Sequence, residues 1–323
     1  MNQNPSAELK EGVALSQILK DRTFRTIALS LLLIITMGSL RPDKTEGMYP
    51  KEYWASKITW EHCADVVITG DSRVLMAVSP AIMQEKFPDK HIRNYAFGGN
   101  WYSIEYLEAA EKMLIPESRE KIIIMGITPN AISEKGEIGN FIELSNISKQ
   151  DAYLDIHFAP IVYFFEPMSF RDALHGLVPS LAKTHTVKNY TKDGWVGVHK
   201  IPSDGRNELK RYRKIFEKRR VSDETIGNVI RYVTKWTKSG IRVYGFIAPS
   251  CEEMLQLEEK YSGFNEPEFI KLFKSAGGIW IDTNPGRYES FDGSHLQDNA
   301  ALEFSRDFTK RFYELESKVK KDN

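Results

Sequence analysis

From about residue 50 the chain alternates short apolar, β-branched runs with amphipathic stretches, and this alternation limits the possible fold more than any other feature. The runs are Asp65–Thr69 (DVVIT), His91–Phe97 (HIRNYAF), Lys121–Gly126 (KIIIMG), Ile241–Ala248 (IRVYGFIA) and Gly278–Thr283 (GIWIDT). Continuous apolar runs of this kind suit strands buried on both faces. Helical stretches lie between them at Pro80–Phe87, behind Ser79, and at Ser103–Leu114, Asp223–Ser239 and Gln297–Lys318. Strand-helix alternation implies right-handed crossovers. It predicts an α/β domain, a three-layer sandwich around a doubly wound, mostly parallel, five-stranded sheet. Ligands of such sheets bind beyond the carboxyl ends of the strands, so the loops there should carry function.

One segment breaks the rhythm. An insertion at about residues 131–207 has no clear parallel strand, and it reads as irregular and partly helical, a lid or substrate wall. It holds the aromatic run Ile161–Phe165 (IVYFF) and four histidines, His157, His175, His185 and His199. These lack the spacing of metal ligands, and they read as surface or polar-core residues. Beyond the insertion, seven of the eleven residues in Lys210–Arg220 (KRYRKIFEKRR) are basic. The first reading is a solvated helix face; the second is attraction to anionic lipid headgroups or acidic polysaccharide. Cys63 precedes the first strand and Cys251 follows the fourth. Strand polarity puts them at opposite ends of a parallel sheet, beyond disulfide reach, and predicts two free thiols.

The N-terminus has its own character. Thr26–Leu40 (TIALSLLLIITMGSL) is uncharged and mostly apolar, flanked by Lys20, Arg22 and Arg25 on one side and Arg41 and Lys44 on the other. Fifteen helical residues rise ~22 Å, and Phe24 with snorkelling arginines would extend the span toward a ~30 Å hydrocarbon core. An uncleaved membrane anchor is the favoured reading, and a cleaved signal peptide the alternative. The division expected is a cytoplasmic tail (residues 1–25), the anchor or signal peptide (26–40), a linker (41–50) and one α/β domain (51–323). Basic residues ahead of the anchor put the bulk of the chain outside the cytoplasm. Charge over the whole chain balances, 44 Lys and Arg against 44 Asp and Glu, which argues against nucleic acid as a partner.

The chemistry-bearing residues close the first strand and open the last helix. Gly70-Asp71-Ser72-Arg73 ends the first strand, and a serine at such a turn is exposed at the sheet's carboxyl edge. Asp292-Gly293-Ser294-His295 lies after the last strand, on a loop at the same edge. A serine hydroxyl is a weak nucleophile that needs a base within hydrogen-bond reach, itself oriented by a third group. Ser72, His295 and Asp292 can fill those three roles. As alternatives, Ser72 and Asp292 are each suited to be helix caps or turn residues.

These blocks resemble those of the SGNH (GDSL-like) hydrolase superfamily over roughly Asp65–Phe312, the insertion excepted. Gly70-Asp71-Ser72 is similar to the family's nucleophile block, and Asn94-Tyr95-Ala96-Phe97-Gly98-Gly99 to its second block, whose last glycine supplies an oxyanion N–H. Asp292 and His295 match the closing Asp-x-x-His. The third block departs from the family: Gly126-Ile127-Thr128-Pro129-Asn130 puts Thr128 where an asparagine donor usually stands, leaving Thr128 or the displaced Asn130 to donate. The resemblance implies Ser72, Asp292 and His295 as catalytic residues and an oxyanion hole from Ser72, Gly99 and either Thr128 or Asn130. It implies no metal or organic cofactor. The activity implied is ester hydrolysis or O-acyl transfer, most readily of acetyl, on a carbohydrate of a bacterial cell envelope or exopolysaccharide. The partners implied are an acylated carbohydrate or acyl donor. The competing expectation is a catalytically inactive envelope protein of the same fold that binds polysaccharide or scaffolds its assembly.

Overall fold

A computed structural model describes residues 21–39, 41, 45–134, 139–178, 185–203 and 206–322. Helix α1 (Arg22–Ser39) is followed by β1 (Thr45–Gly47), α2 (Pro50–Ile58), β2 (Val66–Thr69), α3 (Ser72–Ala77) and α4 (Pro80–Gln84). Next come β3 (Ile92–Asn94), α5 (Ile104–Lys112) and β4 (Ile122–Ile127), then α6 (Asn140–Ser145), α7 (Lys149–His157), α8 (Ala159–Phe165) and α9 (Phe170–Leu177). The hairpin β5 (His185–Tyr190) and β6 (Val196–Ile201) leads into α10 (Asn207–Lys218) and α11 (Asp223–Lys238). The chain closes with β7 (Arg242–Ile247), α12 (Glu252–Tyr261), α13 (Glu266–Ser275), β8 (Ile279–Trp280) and α14 (Asp298–Asp322).

Two compact units result: Met1–Asp43 with Pro160–Lys183, and Lys44–Ala159 with Thr184–Asn323. The second unit contains a parallel sheet of five strands in the order β3-β2-β4-β7-β8. Strand order reverses between β2 and β4, so the crevice for a ligand opens beyond their carboxyl ends. Successive residues of each strand point to opposite faces. Val66, Ile68, Ile122, Ile124, Tyr244 and Phe246 pack with α3 and α14 on one face. Val67, Ile123, Met125, Val243 and Ile247 pack with α5, α11 and α13 on the other. Phe304, Phe308 and Phe312 of α14 stand at helical spacing of four and meet Tyr244 and Phe246. Truncating one such buried aromatic ring typically costs ~3–5 kcal/mol.

Several expectations change. The linker expected at 41–50 is partly structured: β1 occupies Thr45–Gly47, α2 begins at Pro50, and 42–44 lie outside the described residues. The insertion carries four short helices and a hairpin, with 135–138, 179–184 and 204–205 outside the description. Its hairpin forms a second sheet, β1-β5-β6, in which β5 runs parallel to β1 and antiparallel to β6. Trp195 at the hairpin turn donates its indole N–H to the Met76 carbonyl, 2.7 Å away, and so steadies the end of α3.

In the first unit α1 has no buried residue, and it is long and apolar enough to cross a membrane. It begins at Arg22, ahead of the expected start at Thr26, and its eighteen residues rise ~27 Å. Most of the expected tail, residues 1–20, and Leu40 lie outside the description. Gly38 abuts the Phe164 ring so closely that a Cβ there would lie 2.6 Å from it, and the Arg41 guanidinium sits 4.6 Å from the centre of the Tyr163 ring.

Candidate functional site

The turn between β2 and α3 is held from several sides. Asp71 caps α3, its carboxylate accepting the Arg73 N–H at 3.0 Å and the Thr128 hydroxyl at 2.6 Å. Val74 of α3 lies against the sheet at Gly70 and Gly126, where an added Cβ would come within 2.4 and 2.3 Å of its methyl group. Only glycine permits that approach. The buried Tyr106 hydroxyl accepts the Gly70 N–H at 2.9 Å and donates to the Tyr95 carbonyl at 2.8 Å. Asn94, first residue of the second block, donates from its side chain to the Val74 and Val78 carbonyls at 3.1 and 2.8 Å, fixing the far end of α3. Ser72 is therefore the first residue of a helix anchored at both ends.

The loop before α14 presents the other two side chains. Asp292 accepts the Ser294 and His295 N–H groups on one oxygen, each at 2.8 Å, which folds the loop around the carboxylate. Its second oxygen lies 2.8 Å from His295 Nδ1, and His295 Nε2 lies 2.8 Å from Ser72 Oγ. The Phe291 ring stacks on the imidazole at a 20° interplanar angle. Burial pushes the Asp292 carboxyl up, but the hydrogen bond and charge of His295 and the two backbone N–H groups outweigh it and hold the pKa below the ordinary value. An ionised Asp292 makes Nδ1 the donor and leaves Nε2 as the nitrogen facing Ser72 Oγ. This relay can deprotonate Ser72 as its oxygen attacks an electrophile.

Ser72 and His295 open onto a cavity of about 950 Å³ that Gly98, Gly99, Asn130 and Asn140 also line. Among the described residues the Ser72 and Gly99 N–H groups have no protein acceptor. Gly99 adopts φ +60°, a conformation disfavoured for residues with a Cβ. The two candidates in the third block differ. Thr128 is fully buried, spends its proton on Asp71 and accepts the Ala131 N–H at 3.1 Å. Asn130 lies in the cavity wall, its Oδ1 accepting from Arg219 at 3.1 Å, which leaves its Nδ2 donor uncommitted among the described residues.

Residues to which the sequence assigned no part in the site support this arrangement. Arg73, beside the serine, is buried and paired with Glu258 of α12 through two bonds of 3.0 and 2.6 Å. Burial alone would lower the Arg73 pKa, but the Glu258 carboxylate outweighs it and holds the guanidinium charged. Arg73 Nε also donates to Ser294 Oγ at 3.0 Å, tying the serine's helix to the histidine's loop. Both cysteines are free thiols. Cys251, far from the motifs in sequence, donates to the Gly293 carbonyl at 3.0 Å, as Ser250 does at 3.2 Å. The basic run also gains meaning. Lys210, Arg211, Lys214 and Lys218 are solvent-exposed, as a solvated helix face requires, and with Arg219 they also line the cavity. Among the described residues no group of three or more His, Cys, Asp or Glu side chains is placed to hold a metal ion. No protein-family model, curated protein or solved structure matches the chain.

Proposed function

We propose that the chain is a serine-dependent esterase or O-acyltransferase of SGNH type, with α1 as a membrane anchor and the second unit outside the cytoplasm. The observation that carries the reading is the continuous relay Ser72–His295–Asp292, with both links at 2.8 Å. Its three members come from the two sequence blocks that resemble the superfamily. The strand order β3-β2-β4-β7-β8, with the serine at the reversal point, is compatible with that fold.

In this reading Ser72 Oγ attacks the ester carbonyl carbon while its proton passes to His295 Nε2. The oxyanion is received by the Ser72 and Gly99 N–H groups and by Asn130 Nδ2. His295 then gives the proton to the departing alcohol oxygen, leaving an acyl-serine. Water or a sugar hydroxyl, deprotonated by His295, attacks the acyl carbon and restores the serine. The two acceptors make the difference between hydrolase and transferase. The substrate is an acyl group, acetyl foremost, on an envelope or exopolysaccharide carbohydrate. Turnover of p-nitrophenyl acetate by the full-length chain tests this. Ser72→Ala and His295→Ala should each abolish turnover at unchanged melting temperature, and undiminished turnover in both would refute the relay.

A further inference from the structure

We infer that the cavity beside Ser72 accepts a polyanionic carbohydrate along a track of lysines on α10. This rests on the reading of Ser72 as the acyl-accepting residue and adds the charge of its substrate. Lys210, Lys214 and Lys218 all line the cavity and recur every fourth residue. They therefore form one row ~12 Å long on a single helix face. Two aromatic residues fix that orientation: Tyr212, which also lines the cavity, and Phe216 are buried and pack with Met254 of α12, so the helix cannot rotate its lysines away.

Charge in this wall is one-sided. Among the described residues five cationic side chains line the cavity, Lys210, Arg211, Lys214, Lys218 and Arg219, against the carboxylate of Glu134. Arg211 is paired with Glu208 at 3.0 Å, and Arg219 donates to Asn130. Among the described residues the three lysines have no carboxylate within 4 Å, although Arg213 on another side of the same helix pairs with Glu217 at 3.3 Å. A cavity lined by one sign of charge concentrates the field and draws in ligands of the other sign. The ester of a neutral sugar needs no such row. A chain carrying several carboxylates, phosphates or sulfates, read from Lys210 toward Arg219, would use all of it, and Arg219 would couple the track to Asn130 beside the serine.

The test is equilibrium binding to the full-length Ser72→Ala chain in neutral detergent, so that the result does not depend on turnover. The probes are tetragalacturonate, with four carboxylates, monogalacturonate, and a neutral tetrasaccharide. Tetragalacturonate should bind more tightly than either control and weaken as salt is raised. K210Q/K214Q/K218Q should weaken its binding by roughly tenfold or more. K210R/K214R/K218R, which keeps the charges, should retain it, and K271Q/K274Q/K310Q, away from the cavity, should leave it unchanged. Equal affinity for the neutral tetrasaccharide or for monogalacturonate would overturn the inference. So would an unaffected glutamine variant, or binding of phosphatidylglycerol vesicles through the same lysines with none of tetragalacturonate. Failure of the wild type to cleave esters would count against the relay alone and leave this measurement standing.

Discussion

Asn130→Asp separates the two candidate donors of the third block. Aspartate is nearly isosteric with asparagine, and an oxygen remains where Arg219, the residue that follows α10, now donates at 3.1 Å, so that tether is kept. What disappears is Nδ2, a side-chain donor in the cavity wall with no protein acceptor among the described residues. Removing one oxyanion donor typically costs ~10²–10³ in kcat, or ~2.7–4 kcal/mol of transition-state stabilisation. The loss should fall on kcat with little change in KM, because the donor acts on charge that develops only in the transition state. Thr128→Val should behave differently. It strips a hydrogen bond from the buried Asp71 carboxylate and another from the Ala131 N–H, so the cost goes to stability, at ~1–3 kcal/mol. Steady-state kinetics with p-nitrophenyl acetate, paired with thermal melts, read both effects. A near-wild-type kcat for Asn130→Asp together with a hundredfold loss for Thr128→Val would refute the assignment of Asn130.

Glu258→Gln removes one partner of a buried ion pair and leaves the Arg73 charge uncompensated, which should cost ~3–5 kcal/mol in urea denaturation. Arg73→Met combined with Glu258→Leu should recover much of that loss, since neither member of the pair is then left buried without its partner. Asp292→Asn should lower kcat by roughly 10⁴ by removing the acceptor that fixes the histidine tautomer. The same variant has a pH signature. The folded-state pKa of Asp292 is depressed, so the stability it contributes is present above the ordinary carboxylate range and is lost as pH falls through the lowered value. Acid denaturation of the wild type should include this loss, and Asp292→Asn should lack it.

The central strands β2, β4 and β7 were readable because they are runs rich in β-branched and aromatic residues buried on both faces, as Ile122–Ile127 is throughout. The serine and histidine blocks were readable because they abut such runs. The second sheet was hidden for the opposite reason. His185–Tyr190 is mostly polar with Tyr190 its single buried residue, and its parallel partner is the three-residue strand Thr45–Gly47. Local patterning cannot announce a pairing between segments so distant. Thr128 and Asn130 could not be ranked without Asp71, which takes the threonine proton from the end of another strand. Arg73 looked like a turn residue beside the serine, and its role depends on Glu258 and Ser294, both remote in sequence. The basic run looked the same whether solvated or functional. Its orientation is set by Tyr212 and Phe216 against Met254, a tertiary fact.

The central claim is that Ser72 is an activated nucleophile, and covalent labelling tests it most directly. The full-length chain is treated with a fluorophosphonate and its intact mass is measured, followed by mapping of the modified peptide. A single adduct on Ser72 is expected, lost in His295→Ala and sharply slowed in Asp292→Asn. A folded protein in which Ser72 stays unmodified would contradict it, and would favour a non-catalytic role for this fold in polysaccharide binding.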